Sequence, residues 1–244
     1  MQVDALAVRL RPRTPTEASD LGVRLCQHAA RSVFPCYALA AVPVMALALS
    51  SFEIAGWLPA VLLWWAKPWL DRTILFVLSR SAFGQRTTVA DLWRSQQEVW
   101  WRQFFFTWRV RRLSPWRSLT QLVYQLEGVR VAGAGGRVRQ IRQKAAGAAF
   151  MMTHAFAMAE TGVLVALMSL MFWLAPRGLA PDIEQFFTGE ARTFLAVAIP
   201  VSYALAMLIV EPFYVAAGFA MYLNRRAELE AWDIEQEFRR AFGN

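Results

Sequence analysis

Four ionisable side chains lie within or beside long apolar runs: Lys67, His154, Glu160 and Glu211. A carboxylate inside a membrane span is costly to bury, so Glu211 and Glu160 are functional candidates by position alone. Three roles suit Glu211. It can pair across helices, most simply with Lys67. It can accept protons in a transport path, or it can sit at a helix interface. Glu160 reads as structural. His154 and Glu160 are six residues apart, which does not put them on one helix face. Pro68 follows Lys67 and Pro212 follows Glu211. A proline lacks the backbone N–H and is expected to break each helix. Pro212 would free a carbonyl near Leu208, for which Tyr203 and Tyr214 are candidate donors.

Other chemistry has little support. The sequence has no H-E-x-x-H, G-x-S-x-G or paired Cys/His pattern, so no catalytic residue is assigned. Two histidines and two cysteines, Cys26 and Cys36, give neither a disulfide framework nor a metal centre. Gly133, Gly135 and Gly136 lack the Gly-Lys-Ser/Thr ending of a phosphate loop and read as a bend. No cofactor is expected.

These residues must be held by apolar elements. Of the 244 residues, 57% are hydrophobic and 18% charged, against about 45–50% and about 25% in soluble domains. The excess is concentrated in long uncharged runs, which points to an all-α polytopic membrane protein with about four transmembrane helices. The run from Ser32 to Phe52 carries no charge and spans about 31 Å as helix. A third span lies between Ala149 and Pro176, and a fourth between Thr193 and Asn224. The second is ambiguous, because Lys67, Asp71 and Arg72 interrupt it. We favour a short crossing that exits near Lys67, with "TILFVLSRSAFG" lying at the interface. The alternative is a kinked helix continuing to Arg80.

Charge placement gives an orientation. The net charge of +8 flanks the apolar spans, so it reads as the cytoplasmic bias of membrane proteins and not as a nucleic-acid surface. Arg9, Arg11, Arg13, Arg24 and Arg31 precede the first span, and Arg225, Arg226, Arg239 and Arg240 follow the last. The connections on the other side hold only Arg177 and Arg192, against Glu53, Asp182, Glu184 and Glu190. Both termini are therefore expected in the cytoplasm. The segment behind Met1 has no uninterrupted apolar core, so a cleavable signal is not expected.

The chain divides into an N-terminal cytoplasmic helix (1–31), a first hairpin (32–80), a cytoplasmic or interfacial region (81–148), a second hairpin (149–224) and a tail helix (225–244). "TPTE" at Thr14–Glu17 predicts a helix start, with Leu21 and Leu25 on its apolar side. "TVAD" at Thr88–Asp91 predicts another. The aromatic and basic stretch after it suits an in-plane helix whose Arg109, Arg111 and Arg112 meet anionic lipid headgroups. Packing of Trp100, Trp101 and Phe104–Phe106 on the ends of the spans is an equal alternative.

"KPWLDRTILFVLSR" from Lys67 and "EPFYVAAGFAMYLNRR" from Glu211 echo each other: charge, proline, aromatic, then Leu-Ser/Asn-Arg. Internal repeats of this kind occur in transporters. "LWWAKPWLDRTILFVLSRSAFG", "EPFYVAAGFAMYLNRRAELEAWDIEQEFRR" and "RLRPRTPTEASDLG" together resemble a group of uncharacterised proteobacterial inner-membrane proteins encoded beside membrane proteins with a transglutaminase-like domain. More remotely, the chain is similar to the membrane domain of some glycerophosphodiester phosphodiesterases, without their soluble catalytic domain. The resemblance implies a non-catalytic subunit bound to another membrane protein. A scaffold or assembly subunit is the expected function. A transporter component with Glu211 in its path is the alternative, and an enzyme acting on lipid at the cytoplasmic interface is a lesser one.

Overall fold

The computed structural model describes residues 13–101, 104, 114–128, 133–174 and 191–230. All regular structure among them is helical. Helix α1 (Pro15–His28) starts where Thr14 accepts a hydrogen bond from Glu17 N–H at 3.3 Å, with Pro15 in its first turn. Leu25, on the expected apolar side, packs against the core half-buried, but the fully buried residues are the small Ala18, Gly22 and Cys26. The reason is close approach: a Cβ on Gly22 would stand 2.7 Å from the Cα of Ala217. The helix backbone therefore lies directly against the last long helix.

After a break at Ala29, α2 (Ala30–Leu49) carries Pro35 and Pro43 inside it. A 3₁₀ turn (Ser50–Glu53) leads to α3 (Leu58–Ala82). Here the structure corrects the sequence reading. The helix does not end near Lys67: α3 runs on, and Lys67, Asp71 and Arg72 are all buried within it. Residues expected at the interface, Thr73, Ile74, Leu75, Val77 and Leu78, belong to the core. The charges are tolerated because each finds a buried partner.

Helix α4 (Val89–Arg94) opens with a complete capping box between Thr88 and Asp91. Hydrogen bonds from the Thr88 backbone and side chain hold the Asp91 carboxyl below the usual carboxylate range. A π-helical turn (Gln97–Trp101) follows. The Trp100 indole donates to Thr73 Oγ1 at 2.9 Å and Trp69 donates to Trp100 O at 3.2 Å, while Trp101 stays exposed. So Trp100 packs on the helices. Arg109, Arg111 and Arg112, with the rest of the expected in-plane helix, lie outside the described residues.

Three helices remain before the last. Helix α5 (Arg117–Leu126) is buried over seven consecutive residues, Arg117 to Val123. Helix α6 (Ala134–Arg142) is short. Helix α7 (Ala146–Leu174) buries only Ala149 and Met152 of its 29 residues. Helix α8 (Arg192–Glu230) is 39 residues long. It passes through position 225 without a break, so the expected tail helix does not begin there. From Tyr214 to Tyr222 every residue of α8 is buried. Pro68 and Pro212 sit inside α3 and α8 without interrupting them, which corrects the expected helix breaks. Packed neighbours hold such helices together. The helices α2, α7 and α8 are long and apolar enough to cross a membrane, with mean hydropathies of 1.9, 1.8 and 2.2 over their most apolar windows.

Candidate functional site

Helix α5 is the element that assembles the charged residues. Arg117, Gln121 and Gln125 recur every four residues and so share one face. Gln121 Nε2 donates to Pro68 O at 2.7 Å, and Gln125 Nε2 to Arg72 O at 2.8 Å. The helix thus runs along the carbonyls of α3, one turn per contact. On its other side, a Cβ on Gly218 would stand 2.7 Å from the Ser118 carbonyl carbon. Glycine at 218 lets α5 wedge against α8.

Five ionisable side chains meet there. Lys67 Nζ lies 2.9 Å from Glu211 Oε2 and also donates to Glu160 Oε1. The Arg117 guanidinium donates to Glu211 Oε1 through Nη2. Arg117 Nε is 3.0 Å from Asp71 Oδ2, an ion pair whose angle falls short of a hydrogen bond. Glu211 is therefore clamped between two cations, one from α3 and one from α5. Both cations also stack on rings: Lys67 lies 5.2 Å from the centre of Tyr203 and Arg117 5.2 Å from that of Tyr214. Arg72 is turned elsewhere and donates to the carbonyls of Val99 and Glu98.

The structure brings together Lys67, Glu160 and Glu211. It does not include His154, which is exposed and stacked on Phe150 at 4.6 Å between ring centres. The Tyr214 hydroxyl, a candidate donor near Leu208, instead lies 3.3 Å from Thr153 Oγ1. Asp71 and Arg117 escaped the sequence reading. Asp71 was absorbed into the supposed exit of the second span, and Arg117 into a polar turn. The available signal was the Arg117-Gln121-Gln125 spacing, which puts three long polar side chains on one face.

Beside the cluster lies a cleft of about 390 Å³, lined by Trp64, Phe156 and Ala157 among apolar residues and by Lys67, Arg117, Glu160 and Glu211. Glu160 is the most accessible of the five, with 17% of its side chain exposed against 2–7% for the others.

A second network ties α6 to the end of α8. Arg137 binds Glu127 at 2.8 and 3.1 Å and reaches Glu230, while the Tyr222 hydroxyl donates to Glu127 at 2.6 Å. Hydrogen bonding to Glu127 pushes the Arg137 guanidinium above its ordinary range. These groups are partly exposed, so each pair contributes less than in the first cluster. Both cysteines are free and buried. Burial pushes the Cys26 thiol up to about 12, far from a reactive thiolate. Among the described residues no group of three His, Cys, Asp or Glu side chains could hold a metal ion. No family model, curated protein or solved structure matches the chain.

Proposed function

We propose that this chain is a non-catalytic, four-span protein of a bacterial inner membrane, serving as a scaffold or assembly subunit of a membrane complex. One observation carries the reading: Glu211, a buried carboxylate of the last long helix, is spent on Lys67 and Arg117. A carboxylate held by two cations ties helices together and is poorly suited to act as a general base. Helix α3 counts as the fourth span. Its 25 residues extend about 37 Å, and its charges face partners within the protein.

The charge asymmetry of the connections supports cytoplasmic termini. In that orientation Glu211 lies 19 residues from the outer end of α8, about 28 Å deep, near the inner boundary of the hydrocarbon. Arg109, Arg111 and Arg112 then pair with anionic headgroups of the inner leaflet. The resemblance to inner-membrane proteins encoded beside transglutaminase-like partners supports a second membrane protein as the other subunit.

Native mass spectrometry of the protein extracted in mild detergent tests the reading. A fixed stoichiometry with a second integral membrane protein is expected, and a lone chain under every gentle condition would sink it. Cysteines introduced at Ser51 and Glu228 should label from opposite sides; labelling from one side removes the topology. The cleft favours a second reading, a transporter component, because it reaches both Glu160 and Glu211. That reading requires water to enter the cleft, so a cysteine at Ala157 should react with a membrane-impermeant thiol reagent.

A further inference from the structure

A second cleft, of about 340 Å³, opens where the start of α1, the linker between α6 and α7, and the last part of α8 meet. Its walls are apolar at Pro15, Ala145 and Met221, and charged at Lys144, Arg225 and Glu228. Asn224 sets the geometry beside it. Its Oδ1 accepts from Arg13 N–H and its Nδ2 donates to Arg13 O, both at 2.9 Å, so the start of α1 is pinned to α8.

Two cations of this cleft are not used up by the fold. Arg225 is buried, with 9% of its side chain exposed. Its Nη1 donates to Glu228 Oε2 at 2.6 Å, but its Nε is buried without an acceptor among the described residues. Nη2 makes no hydrogen bond with a described residue either. The Nε–Nη2 edge, which holds two oxygens of one anion side by side, is therefore open. Leaving a buried donor unpaired is unfavourable, and a ligand oxygen would relieve it. Lys144 has no hydrogen bond or ion pair with any described residue. It is also the one described residue other than glycine with a positive φ, 65°, a conformation that disfavours lysine and suits glycine. Packing does not account for a lysine there, because the residue is exposed.

The remaining charges favour an anion. Glu228 is occupied at both oxygens, Oε2 by Arg225 and Oε1 by Asn224 Nδ2 at 3.2 Å. Lys144 and Arg225 stand against it, which leaves one positive charge in excess among the lining residues. Pro15 lies in the first turn of α1, so the positive end of a 14-residue helix borders the same cleft. The acidic residue of that turn, Glu17, is paired with Arg13 at 3.4 Å. A cation would meet Lys144 and Arg225 with the wrong sign.

We propose that this cleft binds a phosphate group, with the Nε–Nη2 edge of Arg225 and the Lys144 amine as its donors. Arg225 lies about 21 Å along α8 from Glu211, so the site is separate from the Glu211 cluster. The proposal requires neither the scaffold reading nor transport, and its failure would leave both standing. The phosphate has two sources, the headgroup of an anionic lipid or a soluble phosphate ester.

The test is calorimetric titration of the full chain in dodecyl maltoside, in a low-salt buffer free of phosphate. The probes are glycerol phosphate, dihexanoyl phosphatidylglycerol and, as the counterpart lacking phosphate, dihexanoylglycerol. One saturable site for at least one phosphate compound, and none for dihexanoylglycerol, is expected. K144G suits the backbone at its position and should weaken binding about threefold or more. R225K keeps the charge but loses the two-pronged edge, and should weaken binding about tenfold or more. Circular dichroism checks that each variant is folded, and K144G, at an exposed position, carries the test if R225K does not fold. Tighter binding of dihexanoyl phosphatidylglycerol than of glycerol phosphate assigns the site to a lipid headgroup. Binding of glycerol phosphate at least as tightly assigns it to a soluble ester. The proposal is overturned if the folded wild type binds neither phosphate compound, if dihexanoylglycerol binds as tightly as they do, or if K144G or a folded R225K binds as wild type does.

Discussion

The two halves of α8 differ in what covers them. From Tyr214 to Tyr222 the helix is enclosed on all sides by protein, with α1 and α5 lying against it through Gly22 and Gly218. Its outer half exposes Val197, Ile199, Leu205 and Ile209, and its neighbour α7 exposes Met158, Val165, Leu170 and Trp173. Both halves are apolar, so composition does not separate them. What separates them is whether the rest of the protein packs against them. A protein neighbour demands small residues at close approaches and partners for every charge. A hydrocarbon neighbour demands only apolarity. Glu211 sits at the boundary between the two regimes.

The contrast orders the expected effects of mutation. Truncating Glu211 to alanine should be the most damaging single change, costing about 3–5 kcal/mol, because Lys67 and Arg117 would be left buried with one fewer partner. Unfolding by sodium dodecyl sulfate in mixed micelles measures it. F219A, in the enclosed half, should cost about 3 kcal/mol or more through the cavity it leaves. L170A on α7 should cost under about 0.5 kcal/mol in the same assay, since lipid or detergent fills the space. Equal costs at Phe219 and Leu170 would erase the distinction between the halves. G22V tests the close approach directly. Its methyl groups have no room against the backbone of Ala216 and Ala217, so a cost of about 1–3 kcal/mol is expected.

The smallest effect lies far from the boundary, at the capping box. The folded-state carboxyl of Asp91 titrates below its unfolded value. Its contribution is therefore present above the unfolded value, near pH 4, and is lost as the pH falls through the folded one. The thermal midpoint of the wild type should fall more than that of D91N between pH 6 and pH 3. Identical pH profiles would show that the cap contributes nothing.

The sequence made the lipid-facing regime legible more readily than the enclosed one. Uncharged length alone marks α2, α7 and α8, since any lipid-facing run must be long and apolar. Caps at Thr14 and Thr88 are local chemistry, and the starts of α1 and α4 follow from them. Failures cluster where a residue's meaning depends on a partner far along the chain. Lys67, Asp71 and Arg72 look like an exit from the bilayer until Glu211, Glu160, Arg117 and the carbonyls near Trp100 are brought beside them. Arg117 reads as one more cytoplasmic cation until α5 is seen to lie along α3. Proline residues were over-read for the same reason. Within a packed bundle, a missing backbone hydrogen bond does not end a helix. The matched dipeptides Lys67-Pro68 and Glu211-Pro212 were the one long-range hint, and the structure sets their charged residues 2.9 Å apart.

The charges within the apolar helices form one interlocked group. A double-mutant cycle on K67M and E211L measures it most directly, by unfolding in mixed micelles. The two changes together should be less destabilising than the sum of the two alone, with a coupling of about 2 kcal/mol. Additive costs, with a coupling near zero, would contradict the claim.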